Sequence, residues 1–179
     1  MLMKKIAFIS GMTGQDGPYL AKYLLEKDYK VYGLVKRYSN PNFSNLDYLG
    51  IENDVDLITG DITDDANMNH LVRSIRPHEF YNLAAQSFVG SSWDLNKQTT
   101  EVNAMGVLNI LNAIVNQNPQ TRFYQASTSE LYGNANDEGI QNEKTPFHPR
   151  SPYGISKLCS YWMTVNFRES YSVHASNGI

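Results

Sequence analysis

A single cysteine, Cys159, stands among 179 residues. No internal disulfide can form, and the chain reads as one suited to a reducing, cytoplasmic compartment. No apolar run approaches the ~18 residues of a membrane span. The short run within Met1–Ser10 meets Gly11 too early to make a signal-peptide core with its cleavage site. Basic runs are missing as well, and a formal charge of −3 offers no electrostatic footprint for nucleic acid. The four histidines, His70, His78, His148 and His174, show no ligand spacing, so no metal site is expected. Repeats, low-complexity stretches and an interdomain linker are also lacking. What remains is the expectation of one domain over 1–179, with room for a sizeable core.

The composition, 41% hydrophobic and 18% charged, is that of an ordinary globular protein. Short apolar runs at Lys5–Ser10, Val31–Val35, Val55–Ile58, Phe80–Ala84, Phe123–Ala126 and Val173–Ala175 are suited to strands buried on both faces. Helical patterns lie between them at about 17–27, 65–76, 96–117 and 152–170, and Pro77 and Pro119 stop two of these. Alternation of this kind predicts an α/β fold, a Rossmann-like doubly wound parallel sheet with helices on both faces. The polar stretch Asn134–Pro152, with three prolines, is a long loop, and long loops in compact domains often serve function.

Directly after the first strand comes Gly11–Met12–Thr13–Gly14–Gln15–Asp16–Gly17, a GxxGxxG turn into an amphipathic helix. Glycines there allow a tight turn and close backbone approach to a pyrophosphate, which rests on the helix N-terminus. A plain glycine-rich turn is the alternative; strand before and helix after argue against it. Lys36 and Arg37 end the second strand, and no acid occurs between Asp28 and Asp47 to meet the hydroxyls of a ribose. A cation in that place suits a 2′-phosphate, so NADP is favoured over NAD, with a merely solvated Arg37 as the alternative. Asp61–Ile62 follows the third strand, either facing an adenine or standing beside a helix cap. Leu83, Ala84, Ala85 and Ser87 belong to the stretch that ends the fourth strand, whose small residues would let a cofactor lie along the backbone, with dense core packing as the alternative. Asn103 reads as a polar face residue of the long helix.

The chemical end of the chain is Phe123–Tyr124–Gln125–Ala126–Ser127–Thr128–Ser129–Glu130 followed by Tyr153 and Lys157. A hydroxyl and a carboxylate close an apolar strand, and a tyrosine and a lysine at i,i+4 share one helical face. For Tyr153 to act as a base near pH 7 its pKa must fall by roughly 3 units from ~10, about 4 kcal/mol. A neighbouring ammonium and a cationic ring act in that direction.

On the glycine turn with Tyr19–Leu20, on Asn82–Val89, Phe123–Gly133 and Pro146–Lys157 with Trp162, the chain resembles the extended short-chain dehydrogenase/reductases, and among them the GDP-mannose 4,6-dehydratase family. Ser10, Met12, Phe88 and Gly154–Ile155–Ser156 depart from the usual pattern without touching a catalytic position. The resemblance implies a tightly held NADP and a GDP-sugar substrate. It also implies a catalytic set of Thr128, Glu130, Tyr153 and Lys157. Tyr153 would be base for the C4 hydroxyl, Lys157 would hold the ribose and lower the tyrosine pKa, Thr128 would bond the C4 oxygen, and Glu130 would carry the C5 and C6 protons. It further implies a homo-oligomer, dimer or tetramer, built through helices 96–117 and 152–170 (Val107, Leu108, Leu111, Ile114; Leu158, Trp162, Val165). Family members continue into a second half that holds most of the nucleotide-sugar site, so the 179 residues read as the cofactor domain of such a lyase. Two alternatives stay open: another nucleotide-sugar dehydratase, epimerase or reductase, for example on a GDP-heptose, and a non-catalytic NADP-binding module.

Overall fold

The computed structural model describes residues 4–36, 42–134 and 140–179. Six strands form one sheet: β1 (Ile6–Ser10), β2 (Lys30–Lys36), β3 (Asp56–Gly60), β4 (Glu79–Asn82), β5 (Arg122–Ala126) and β6 (Ala175–Gly178). Their order is β3-β2-β1-β4-β5-β6, and every pairing is parallel. The helices are α1 (Asp16–Glu26), α2 (Ser44–Tyr48), α3 (Asp65–Ile75), α4 (Asn96–Thr100), α5 (Gly106–Gln117) and α6 (Pro152–Tyr171). A sheet that winds outward in both directions from β1 and β4 opens a crevice beyond its carboxyl edge, at the point where the strand order reverses.

Alternation along β1 divides the core. Phe8 faces α3, α5 and α6 with Phe80 and Phe123, their rings at centroid distances of 4.8 and 6.1 Å in sequence across β1, β4 and β5. Ala7 and Ile9 face the other way, toward Ala21 and Leu24 of α1 and Leu46 of α2. Both faces of the central strands are therefore dry, which is why β1 reads as an unbroken apolar run. The edge strands differ from expectation. In β3, the outermost strand of the sheet, Asp56, Leu57 and Thr59 are exposed.

Three boundaries move for physical reasons. β4 ends at Asn82, not Ala84: the Leu83 amide makes one last bond to β1, donating to the Ser10 carbonyl at 3.2 Å, and the regular pairing stops there. β6 is Ala175–Gly178 rather than Val173–Ala175: Ser172, in the left-handed region at φ 55°, ends α6, and Val173 drops into the core before the strand begins. The helix expected over 96–117 is divided by a π-helical segment, Glu101–Met105, in which one extra residue per turn is accommodated. The short helix α2 has no counterpart in the sequence reading.

Of the apolar positions expected to serve assembly, Val107, Leu111 and Ile114 are consumed by the chain's own core. Leu108, Leu158 and Val165 are half-buried and Trp162 is 57% exposed. Among the described residues, no helix is long and apolar enough to cross a membrane, and no group of His, Cys, Asp and Glu could hold a metal ion.

Candidate active site

The turn between β1 and α1 is shaped by what cannot fit in it. Gly11 has φ 76°, and a Cβ there would sit 2.8 Å from the Ala84 nitrogen and the Leu83 carbonyl carbon. A Cβ on Gly17 would lie 2.7 Å from the Gly11 oxygen and 2.9 Å from the Met12 Cα. The first glycine thus lets the turn press against the exit of β4, and the third lets α1 press against the turn. Met12 fills the space over Gly33, so its departure from the usual pattern is absorbed by the core. Asn45 of α2 donates to the Gly14 carbonyl at 2.9 Å and steadies the turn from outside. The N-terminus of α1 has no side-chain cap, leaving its first N–H groups for an anion.

Between these walls runs a cleft of about 640 Å³ along the carboxyl edge of the sheet. It gathers many of the expected cofactor residues: the turn from Gly11 to Gly17 with Thr13, Gln15 and Asp16, then Asp61 and Ile62, then Leu83, Ala84, Ala85 and Ser87, whereas Tyr153 and Lys157, expected there too, are not among its lining residues. Arg37 lies outside the described residues. Lys36 lines the cleft, with its ammonium 3.7 Å from Asp61. The acid missing from the sequence around Lys36 is therefore supplied in space by Asp61. The other oxygen of Asp61 accepts from the Thr63 backbone and hydroxyl at 2.9 and 2.8 Å, and Asp64 is the residue that caps α3.

The cleft ends at Ala126, where the second group of residues assembles. Ser151 caps α6 by accepting from the Gly154 amide at 3.0 Å, with Pro152 in its first turn. Gly154 has room only for hydrogen: a Cβ would lie 3.0 Å from the Glu130 carbonyl oxygen. This close approach brings Tyr153 beside the short turn Ser129–Leu131. Thr128, extended, accepts from the Glu130 amide at 3.2 Å. The long loop is fastened over this turn: the His148 amide donates to the Leu131 carbonyl at 2.8 Å, and Phe147 packs between Tyr132 and Tyr161.

Tyr153 is buried, and burial pushes its phenol above the ordinary tyrosine value; the Thr128 hydroxyl pulls it down, and the Glu130 charge pushes it up again. Of the two positive charges expected to lower it, an ammonium and a cationic ring, the protein supplies only the ammonium of Lys157. The lysine is itself 3% exposed, and burial brings its ammonium down to about 8. Its Nζ lies 6.0 Å from the centre of the Tyr153 ring and donates to the Ala126 carbonyl at 2.9 Å. Protein groups alone thus hold Tyr153 as a phenol near neutral pH, and a lowered pKa demands a positive charge brought into the cleft.

Two features escaped the sequence reading. Asn103, in the π-helical segment, is 1% exposed rather than a face residue. It accepts from the Gln86 amide at 2.8 Å and donates to the Gln86 carbonyl at 3.0 Å and to Ser156 at 3.2 Å, tying the β4 exit to α6. Ser10, Asn82 and Gln125 form a buried polar row across β1, β4 and β5 that ends at the same Ala126 carbonyl as Lys157. Polar residues at the ends of otherwise apolar runs were its available signal.

The comparisons with known proteins agree with this fold. The family model described as GDP-mannose 4,6 dehydratase matches residues 8–179. A GDP-mannose 4,6-dehydratase of Sinorhizobium fredii is 50% identical over 186 residues, covering 100% of this chain and 53% of the relative. The human GDP-mannose 4,6 dehydratase is 46% identical, covering 98% of this chain and 49% of the relative. The chain spans about half the length of the curated relatives it matches. Among solved structures, the dTDP-glucose 4,6-dehydratase DesIV of Streptomyces venezuelae, with NAD and TYD bound, superposes with a TM-score of 0.82 at 26% identity over 94% of this chain and 53% of that one. The UDP-Glc/GlcNAc 4-epimerase of Campylobacter jejuni reaches 0.86 at 20% identity, over 97% of this chain and 51% of its own, which speaks for the fold alone. A match running from the first strand to the last residue, together with the glycine turn and the Thr128–Lys157 cluster, means that this chain belongs to the GDP-mannose 4,6-dehydratase family.

Proposed function

We propose that this chain is the NADP-binding domain, residues 1–179, of a GDP-mannose 4,6-dehydratase, a lyase that makes GDP-4-keto-6-deoxymannose and water from GDP-mannose. The observation that carries the reading is the placing of Tyr153 beside the turn that bears a hydroxyl and a carboxylate: a Cβ on the adjoining Gly154 would lie 3.0 Å from the Glu130 carbonyl oxygen, and Thr128 holds the Glu130 amide at 3.2 Å. An epimerase needs the tyrosine but not the carboxylate.

A dinucleotide fits the residues present. The Gly11–Gly17 turn cradles a pyrophosphate, Lys36 at the end of β2 and the neighbouring Arg37 suit a 2′-phosphate, and Ala84–Ala85 offer a flat wall. When bound, NADP supplies temporary storage for the hydride that leaves C4 and returns to C6. The protein's residues do the proton work. Tyr153, as phenolate, removes the C4 hydroxyl proton while Thr128 bonds the C4 oxygen. Lys157 presents its remaining N–H groups to the ribose. The C4 carbonyl acidifies the C5 hydrogen, Glu130 takes that proton, and the same carboxyl protonates the C6 hydroxyl so that it departs as water; C5 is reprotonated as C6 is reduced, and release of the proton held on Tyr153 balances that uptake and restores the phenolate. Trp162 and Ile155, 57% and 59% exposed on α6, support assembly with a second copy. The single cysteine fits work in a reducing cytosol.

The test joins this chain to the carboxyl-terminal half of a relative and offers GDP-mannose, a GDP-heptose and other nucleotide sugars with NADP or NAD. Water loss from GDP-mannose with NADP supports the reading. Turnover confined to another sugar, or epimerisation without water loss, moves the assignment within the wider group.

A further inference from the structure

Ser10, Asn82 and Gln125 are register partners on adjacent parallel strands, Ser10 against Asn82 and Asn82 against Gln125. Each is 0% exposed. Three polar side chains in the driest part of the sheet cost stability unless every donor and acceptor is used. Here they are used in one direction. The Ala84 amide donates to the Ser10 hydroxyl at 3.3 Å, and that hydroxyl donates to the Asn82 carbonyl oxygen. Asn82 Nδ2 donates to Gln125 Oε1 at 2.8 Å, and Gln125 Nε2 donates to the Ala126 carbonyl at 2.8 Å. Lys157 Nζ donates to that same oxygen at 2.9 Å. A carbonyl has two lone pairs, and the row fills one of them.

We propose that Gln125, backed by Asn82 and Ser10, is a positioning residue for Lys157, fixing the Ala126 carbonyl so that it takes one N–H of the ammonium and leaves the others turned into the cleft. The row starts at Ala84 in the cleft wall and ends at the lysine, so it joins the lip of the dinucleotide cleft to the catalytic cluster. An apolar trio would fill the same space and leave the carbonyl open for Lys157 to slide or to bond with a second N–H. The neutrality of the row matters equally. The titratable groups on this side are Tyr153 on α6 and Glu130 on the turn after β5; burial alone lowers Lys157, and no carboxylate offsets it. The functional meaning of this positioning rests on the reading of the cleft as an NADP site, whereas the coupling between Gln125 and Lys157 does not.

The experiment is an NMR titration of the 179-residue chain, following the Lys157 Cε signal and the Gln125 side-chain amide together. Because both donors share one oxygen, the Gln125 amide protons are expected to shift with the same midpoint as Lys157. Gln125→Glu keeps the acceptor for Asn82 but removes the donor and places an anion beside the shared oxygen. It is expected to raise the Lys157 midpoint by about 1–3 units. A Gln125 amide that stays flat through the Lys157 titration overturns the proposal, as does a folded Gln125→Glu chain with an unchanged midpoint. If that variant does not fold, the measurement on the unaltered chain still decides. NADP titrated into the same samples separates the two ideas: coupling without NADP binding leaves the row standing and removes the cofactor reading, and binding without coupling does the reverse.

Discussion

Lys157→Met should make this protein more stable and less able to hold its cofactor. The ammonium is 3% exposed and titrates at about 8, against 10.5 for a lysine in water. A folded-state pKa below the unfolded one means that folding disfavours the proton. Below pH 8 the buried charge carries its full cost, about 3 kcal/mol at ~1.4 kcal/mol per unit. Between pH 8 and 10.5 the unfolded chain keeps the proton that the folded chain has lost, so this group's contribution to stability rises with pH. Methionine fills the same channel with an unbranched apolar stem, and the Ala126 carbonyl keeps its bond from Gln125. At pH 7 the variant is expected to gain up to about 3 kcal/mol, which for a domain of this size is a melting-temperature rise on the order of 6–12 °C. At pH 10 roughly 2.5 kcal/mol of that advantage should be gone, because the lysine is already neutral in the folded state. Thermal and urea unfolding of both chains at the two pH values reads this directly, and the difference between them cancels the titration of all other groups. A variant that melts at or below the unaltered chain at pH 7, or with the same advantage at pH 10, refutes the reasoning. The accompanying loss of NADP binding would identify the lysine as a group kept for function against stability.

Gly17→Ala places a methyl 2.7 Å from the Gly11 oxygen, a backbone atom that cannot yield, so a loss of about 1–3 kcal/mol and of NADP binding is expected in melts and titrations. Arg37→Asp should weaken NADP far more than NAD, and equal affinity of the unaltered chain for both would remove the 2′-phosphate assignment. Light scattering at micromolar concentration should show a homo-oligomer, and replacing Trp162 by Glu should shift it toward monomer.

The sheet was legible because its central strands are buried, most fully β1, so that Ile6–Ile9 is apolar without alternation and Phe123–Ala126 is short, mostly apolar and bounded by polar residues. Helices bounded by Pro77 and Pro119 were legible for the converse reason. α2 was not, since five residues give too short a window for a 3.6-residue period. The π-helical segment was hidden inside a good helical pattern, and its consequence, Asn103 turned inward onto Gln86 and Ser156, depends on partners 17 and 53 residues away. The Gly11–Gly17 turn and the Tyr153–Lys157 pair could be read because each is local in sequence and carries its chemistry in its spacing. The row through Ser10, Asn82 and Gln125 could not, because strand order, not spacing, puts those residues side by side. The direction of the Tyr153 pKa was equally out of reach: it follows from burial and from the Glu130 charge, which only the packing of α6 on the Ser129–Leu131 turn brings to bear.

The division of labour between Tyr153 and Glu130 is tested most directly by trapping the sugar in the two variants, each in the chain joined to the carboxyl-terminal half of a relative. Glu130→Gln should still oxidise C4, giving a ketone that retains its C6 hydroxyl in an amount no greater than the enzyme, captured by borodeuteride. Its yield of 6-deoxy product should fall ~10²–10⁴-fold. Tyr153→Phe should give neither ketone nor 6-deoxy sugar, since without oxidation at C4 nothing acidifies C5. A Glu130→Gln enzyme that forms the 6-deoxy product at the unaltered rate would contradict the dehydratase assignment of that carboxylate.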